Sequence, residues 1–386
     1  MKNFIISIIF FSLGFSLHAQ IRAGAYQTKE YLPLLDGKKV GIIANQSSLI
    51  ASTHLVDSLI SLHIDVVKVF APEHGFRGKA EAGAHIKDGK DSKTGLTIVS
   101  LYGKNKKPKA EQLQNIDVML FDLQGVGVRF YTYISTLTYI MEACAENNIP
   151  LIVLDRPNPH AHYIDGPLLK EEYKSFVGML PIPVVYGMTD GELAQMINGE
   201  KWLKNGIHCD LSVIKINNYN HQMAYELNVS PSPNLPNFQS IYLYPSLCFF
   251  EGTPISIGRG TDTPFQVIGY PEYPKQGFSF TPKSKPGYSM HPKFENQECY
   301  GINLQNLYTD INEKPQRLEI KWLLDFYQSY PDQEHFFTSF FDKLAGNHTL
   351  KQQIIDGWTE EMIRESWKSD LSNFRELRRK YLLYDE

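Results

Sequence analysis

The chain has 386 residues, of which 42% are hydrophobic and 21% are charged, and its formal net charge is -4. This composition is typical of a soluble globular protein with a substantial core, and the length suggests two domains. The slightly acidic balance argues against a nucleic-acid partner, because proteins that bind nucleic acids usually carry a basic surface.

The first element in chain order is an apolar stretch over residues 4–17, which follows a lysine. The tripeptide Leu-His-Ala that precedes Gln20 is typical of a signal-peptidase cleavage site. We therefore predict a signal peptide over residues 1–19 and export to a bacterial periplasm or to the outside of the cell. Because the stretch is short for a membrane span, stable membrane insertion is not expected after cleavage.

Short apolar runs alternate with helical patterns from residue 39 to about residue 216. The runs are continuously apolar, which favours parallel strands that are covered on both faces. Helical patterns begin at Thr53 and Thr132, and Thr189 and Glu192 have the spacing of a capping box. The alternation predicts a doubly wound α/β domain over residues 20–216. The predicted strands are residues 39–45, 64–72, 96–103, 116–124, 150–158 and 211–216.

The alternating pattern stops at about residue 217. Proline, glycine and aromatic residues crowd the segment 231–265, and helical patterns return near 318–330 and at the end of the chain. We predict a second, smaller α+β domain over residues 217–386.

Polar or aromatic side chains follow five successive predicted strands. Ligands of open α/β sheets bind beyond the carboxyl ends of the strands, so these side chains predict a cleft at one edge of the sheet. Each alone is equally well explained as an ordinary loop residue, and only their recurrence favours the cleft. They are Asn45 and Gln46, Glu73 and His74, Tyr102, Asp122 and Gln124, and Asp155 and Arg156.

Two other kinds of site are weakly indicated. The sequence GVGVRF at 125–130 begins like a dinucleotide-binding fingerprint, but Phe130 stands where the third glycine belongs. The twelve histidines form no HExxH motif and the four cysteines form no CxxC pair, which are the spacings that metal sites favour. We therefore predict no cofactor and no metal, and we interpret the basic run at 103–109 as a solvated loop.

Glu73 is the carboxylate whose position best suits a chemical role, because it follows a strand end and has Phe70 and Phe76 close by in sequence. Partial burial beside aromatic rings would favour a protonated carboxyl, as a general acid requires. A structural contact with Arg77 or His74 would explain its position equally well.

Seven longer motifs, in the same order along the chain, carry a resemblance to a known family. With them the sequence resembles the NamZ-type exo-β-N-acetylmuramidases over nearly all of its predicted mature length. The motifs are FAPEHGFRG (70–78), FDLQGVGVRFYTYISTL (121–137), VLDRPNP (153–159), SFVGMLPIPVVYGMTDGELAQMIN (175–198), SPNLP (232–236), YPSLCFFEGTPISIGRGTDTPF (244–265) and ESWKSDLSNFRELRRKYLLY (365–384).

The resemblance implies a Rossmann-like catalytic domain and a smaller C-terminal domain. It implies the release of N-acetylmuramic acid from the non-reducing ends of peptidoglycan fragments such as MurNAc-GlcNAc, in cell-wall turnover or recycling. It also assigns the catalytic glutamate of the PEHG motif to Glu73. The sequence departs from the family pattern at Gly125, where an aspartate is usual, at Tyr186, where a histidine is usual, and at Pro254, where an asparagine is common.

These implications suggest a role for each candidate residue. Glu73 would protonate the leaving oxygen with His74 beside it, and Asp122 or Asp155 would act as nucleophile or base, unless the substrate's own N-acetyl group attacks. Asp155 paired with Arg156 for structural reasons is an open alternative. The lactyl carboxylate of the substrate calls for a cation, and its other groups call for hydrogen-bonding or stacking partners. The candidates are Arg129, Arg156 and Arg259 for the carboxylate, Asn45, Asn158 and Asn234 for the amide and hydroxyl groups, Tyr131 for stacking, and Glu251 from the second domain.

A protein that binds muropeptides in the same cleft without cleaving them is the alternative, and the glycine at position 125 keeps it open.

Overall fold

The structure is a computed structural model that describes residues 20–73, 75–77, 88–274 and 277–386. The predicted signal peptide over residues 1–19 and the candidate His74 lie outside the described residues. Within those ranges, no helix combines the length and the apolar character that crossing a membrane requires.

The first half of the chain forms a mostly parallel sheet of seven strands in the order β5-β6-β4-β1-β7-β8-β9. All neighbouring pairs are parallel except β5 with β6 at one edge. The strands are β1 (Lys39–Ala44), β2 (Leu49–Ile50), β3 (Thr53–His54), β4 (Asp65–Ala71), β5 (Gly89–Lys90), β6 (Thr97–Ser100), β7 (Val118–Asp122), β8 (Leu151–Leu154), β9 (Leu211–Ile214), β10 (Val267–Tyr270), β11 (Ser279–Phe280) and β12 (Cys299–Asn303).

The six predicted strands and the α/β class are confirmed. All residues of β7 and β8 are buried, as expected of strands that are covered on both faces. Because the parallel strands share one direction, β4, β6, β7 and β8 present their carboxyl ends at one edge of the sheet.

Helices flank the strands of the first half and recur through the second half. They are α1 (Thr28–Leu35), α2 (Leu55–Ser61), α3 (Ala110–Leu113), α4 (Tyr133–Asn147), α5 (Asp190–Gly199), α6 (Phe238–Leu247), α7 (Lys321–Ser329), α8 (Ser339–Ala345), α9 (Thr349–Ile355) and α10 (Glu360–Arg379).

Local capping was predicted with mixed success. The capping box at α5 is confirmed, since the Thr189 amide donates to Glu192 Oε2 at 2.9 Å and Thr189 Oγ1 accepts from the Glu192 amide. The predicted helix start at Thr53 is wrong, because α2 begins at Leu55. Thr53 pairs with Ile50 in a short antiparallel ladder, and His54 caps the helix by accepting from the Val56 amide through Nδ1.

The second half contains a small antiparallel sheet in the order β10-β12-β11, flanked by helices. One large hydrophobic cluster runs through both halves and includes Phe121 and Leu137 as well as Phe249 and Phe374. The two halves are therefore held against each other, and the carboxyl edge of the parallel sheet faces a wall from the second half.

Candidate active site

A cavity of about 640 Å³ lies at this edge. The first half contributes residues that follow β4 and β6 and that precede α4, and the second half contributes residues from its loops, α6 and α8. The polar lining residues are Glu73, Tyr102, Lys106, Tyr131, Thr132, Tyr133, Ser175, Ser232, Asn234, Tyr244, Glu251, Arg259 and Lys343.

Glu73 reaches the cavity because β4 ends at Ala71 and its buried residues fix the start of the next loop. Its half-buried carboxylate accepts a hydrogen bond from Thr132 Oγ1 at 3.3 Å and another from the hydroxyl of Tyr102. Burial and the negative charge of Glu73 raise the pKa of Tyr102 to about 12, so this hydroxyl keeps its proton. Two neutral hydroxyls therefore hold the carboxylate at the cavity wall.

Arg77, which the sequence offered as a structural partner of Glu73, binds elsewhere. Its guanidinium donates to Asp91 at 2.7 and 2.9 Å and to Asp57 at 3.2 Å. The ion pairs hold the pKa of Asp91 far below its usual range. Arg77 thus anchors the loop that follows Glu73.

A pair of tyrosines lines the cavity beside Glu73. The rings of Tyr131 and Tyr133 meet edge to face with centroids 4.8 Å apart, and the Tyr131 hydroxyl donates to the Pro231 carbonyl at 2.7 Å. Asn45 does not line the cavity. It lies behind the pair and donates through Nδ2 to the Tyr133 hydroxyl at 2.7 Å. Asn45 therefore acts on the cavity through the position of Tyr133.

Glu251 and Arg259 line the cavity from the second half. Arg259 Nε donates to Glu251 Oε1 at 2.9 Å, Nη2 contacts the same oxygen, and the guanidinium lies 5.0 Å from the centroid of the Phe265 ring. Of the three predicted arginines, Arg259 is the one that reaches the cavity. Asn234 also lines the cavity, where its Nδ2 donates to the Tyr288 carbonyl at 2.8 Å.

The sequence interpretation missed two lysines in the cavity. Lys106, in the run interpreted as a solvated loop, is half-buried, with Nζ 4.3 Å from the centroid of the Phe176 ring. Lys343 comes from α8 of the second half. Only the position of Lys106 after a predicted strand hinted at such a role, and nothing in the sequence pointed to Lys343.

Asp122 and Arg156 form a buried ion pair and do not line the cavity. Arg156 Nε donates to Asp122 Oδ1 at 2.6 Å, and Arg156 Nη2 donates to Asp122 Oδ2 at 2.9 Å. Asp122 is fully inaccessible to solvent. The pair links the ends of two neighbouring strands and has the geometry of a structural clamp.

Asp155 is also enclosed and does not line the cavity. It accepts hydrogen bonds from Thr189 Oγ1 at 2.7 Å, the Tyr384 hydroxyl at 2.6 Å and the Gly191 amide at 2.9 Å. Burial raises its pKa to about 6 in spite of these donors. Asp155 binds Arg156 only through the backbone amide of that residue, and it ties the end of the chain to the sheet.

Arg129 and Asn158 bond to backbone groups in the interior. The Arg129 guanidinium donates to the carbonyls of Pro167, Ile182, Leu344 and Ala345 at 2.7–3.0 Å, which joins the first half to the end of α8. Asn158 donates to the Met188 carbonyl at 2.8 Å and accepts from the His160 amide at 2.7 Å. Neither side chain lines the cavity.

Comparisons with known proteins agree with this architecture. Residues 40–239 match the family model for the N-terminal part of the exo-beta-N-acetylmuramidase NamZ, and residues 242–384 match the model for its C-terminal part. The chain belongs to the NamZ family. The peptidoglycan beta-N-acetylmuramidase NamZ of Bacillus subtilis (strain 168) is 41% identical over 379 residues, which cover 92% of this chain and 89% of that protein.

Two solved structures from Bacteroides fragilis NCTC 9343 share the NamZ architecture, and both are described as DUF1343 family proteins. One has 44% sequence identity and a TM-score of 0.88, covering 95% of this chain and all of the other. The second has 31% identity and a TM-score of 0.81, covering 95% and 99%.

Gly125, which departs from the NamZ pattern, lies against the side chain of Asp190. A Cβ atom at position 125 would lie 2.7 Å from both carboxyl oxygens of Asp190, so any larger residue there would displace this side chain. Among the described residues, Asp190 Oδ2 and the Tyr186 hydroxyl are buried without hydrogen-bond partners. Burial and the nearby Asp155 raise the pKa of Asp190 to about 7. Gly125 and Tyr186, two of the three positions that depart from the family pattern, therefore both lie beside the buried Asp190 carboxyl.

We expect Asp190→Asn to stabilise the protein at pH 8 by roughly 2 to 4 kcal/mol. A carboxyl whose pKa is raised by folding contributes stability below its unfolded pKa of 3.8, and this contribution is lost as the pH rises through about 7. Urea unfolding at pH 4 to 8 should show the two proteins converging at low pH. As a control, Asp36→Asn alters an exposed carboxylate and should keep the wild-type pH dependence. A constant offset between Asp190→Asn and wild type at every pH would contradict the expectation.

Proposed function

We propose that this protein is an exo-acting β-N-acetylmuramidase that releases N-acetylmuramic acid from the non-reducing ends of peptidoglycan fragments such as MurNAc-GlcNAc. The proposal is carried by Glu73, which is held by two hydroxyls in a cavity at the carboxyl edge of the sheet. Membership of the NamZ family and the name of the Bacillus relative support it. The cavity volume lies within the range of pockets that enclose a ligand of disaccharide size.

Glu73 acts in this proposal as the general acid. Its carboxyl gives a proton to the glycosidic oxygen while the bond from that oxygen to the anomeric carbon breaks. The Thr132 and Tyr102 hydroxyls orient the carboxyl, and Tyr131, which packs edge to face on Tyr133, lines the wall beside it.

The activity is tested by incubating the mature protein with MurNAc-GlcNAc and with a chromogenic N-acetylmuramide. Release of N-acetylmuramic acid from both supports the proposal. Tight binding of the disaccharide without any release would favour the alternative, a protein that binds muropeptides without cleaving them.

We further propose that the protein is exported after removal of residues 1–19. An apolar segment followed by a small-residue cleavage site supports this. Expression of the full chain in a bacterium, followed by N-terminal sequencing of the exported form, should give Gln20 as the first residue. An intracellular protein that retains residues 1–19 would contradict it.

Lys106 and Lys343 are proposed to bind the lactyl carboxylate of the substrate. A hydrogen bond between charged groups contributes about 1.5 to 3 kcal/mol, so replacing either lysine by methionine should raise KM about 10- to 100-fold. The same variants should act normally on a substrate whose lactyl group is converted to the neutral amide. KM should be measured on both substrates, with Lys351→Met, a lysine that does not line the cavity, as control. Equal losses on the acid and the amide would contradict a charge-specific role.

A further inference from the structure

We propose that Glu251 is the second catalytic carboxylate, acting opposite Glu73. This rests on the proposed function, because it assigns a role within the same reaction. The sequence offered Asp122 and Asp155 for that role and placed Glu251 among the substrate-binding residues.

The three candidates for the second carboxylate, Glu251, Asp122 and Asp155, differ in whether they line the cavity. Among the described residues, Glu73 and Glu251 are the two carboxylates that line the cavity, one from each half of the chain. Asp122 has both oxygens bound to Arg156, and Asp155 is enclosed by donors from α5 and from the end of the chain. Neither buried aspartate can reach a sugar in the cavity unless its clamp opens.

The hydrogen bonds of Glu251 leave one oxygen for the substrate. Both contacts from Arg259 go to Oε1, so the guanidinium fixes the side chain without covering Oε2. Ion pairing with an arginine suits a carboxylate that must be negatively charged when positive charge develops beside it. Glu73 accepts hydrogen bonds from the Thr132 and Tyr102 hydroxyls, which hold it at the cavity wall. Hydrogen bonds therefore hold both carboxylates at the wall of the same cavity.

Lys293 anchors the loop that carries Glu251. Lys293 Nζ donates to the carbonyls of Phe250 at 2.8 Å and Ile255 at 3.3 Å, and it also contacts the Thr253 carbonyl. These bonds hold the backbone on both sides of Glu251. The carboxylate is thus positioned before substrate arrives, as electrostatic stabilisation of a transition state requires.

Glu73 and Glu251 divide the work of the hydrolysis between them. Glu73 transfers its proton to the glycosidic oxygen, which leaves with the electron pair of its bond to the anomeric carbon. The Glu251 carboxylate stabilises the positive charge that is left on the sugar. Water then forms a bond to the anomeric carbon, and the proton that it loses restores the acid form of Glu73.

The experiment compares wild type with Glu251→Gln and Glu251→Ala on a chromogenic N-acetylmuramide, with and without sodium azide. We expect each variant to lose at least about 100-fold in kcat with a small change in KM. Azide should restore turnover of Glu251→Ala and give a glycosyl azide, because the anion fits the space beside the anomeric carbon. Glu251→Asp keeps the negative charge but moves it away from the sugar, because the side chain is one methylene shorter. This variant should remain folded and should also lose kcat.

Glu319→Gln is the matched control, since Glu319 pairs with Arg317 at 3.1 Å and lies outside the cavity lining. It should retain wild-type kcat. Inactive wild type would contradict the proposed function itself. Active wild type together with an active Glu251→Gln, or with a folded Glu251→Ala that azide does not restore, would overturn the role of Glu251 alone.

Discussion

Replacing Glu73 by glutamine is expected to lower kcat on MurNAc-GlcNAc by about 10²- to 10⁴-fold, the usual contribution of a general acid. Glutamine keeps the size of the side chain and can still bond to Thr132 and Tyr102, but it has no proton of comparable acidity to give. Because binding does not depend on that proton, KM should change little. The loss should be smaller on a substrate with an activated aryl leaving group, which needs less protonation.

The measurement is the ratio of kcat values for the poor and the activated leaving group in wild type and in Glu73→Gln. Glu111→Gln, an exposed glutamate on α3, is the matched control and should behave as wild type on both. Near-normal turnover of MurNAc-GlcNAc by Glu73→Gln would remove Glu73 from the role of acid. An equal loss on both substrates would point to a general disturbance of the site.

The second large effect is expected on stability. Arg156→Met should lower the free energy of unfolding by about 3 to 5 kcal/mol, because it leaves the fully buried Asp122 carboxylate without its partner. The double variant Arg156→Met with Asp122→Leu should recover much of the loss, since it removes both buried charges. Urea unfolding at pH 7 measures all three proteins.

An exposed ion pair provides the comparison for this experiment. Arg379→Met breaks a surface pair with Glu376 and should cost less than about 1 kcal/mol. If Arg156→Met lowered the free energy of unfolding no more than this control does, and activity disappeared, Arg156 and Asp122 would have a direct role in the reaction.

The sequence could not decide which of the three candidate arginines reaches the cavity. Arg129, Arg156 and Arg259 all lie in motifs that the family resemblance singles out. In the structure Arg129 binds four carbonyls, Arg156 binds a buried aspartate, and Arg259 alone reaches the cavity. A guanidinium suits each of these partners equally well, so residue type cannot distinguish them. The choice depends on which way each loop turns after its strand.

The sequence by itself determined the parallel sheet and the position of Glu73 at its carboxyl edge. Continuous apolar runs such as that of β7 are a local property of the chain, and the common direction of parallel strands then brings their ends together. Only the tertiary structure decided which of the candidate side chains share a cavity with Glu73. Lys343 and Glu251 lie far along the chain from Glu73, and packing of the second half against the sheet edge brings them to the same cavity. Such long-range packing leaves no periodic pattern in the sequence, whereas the strands and the caps do.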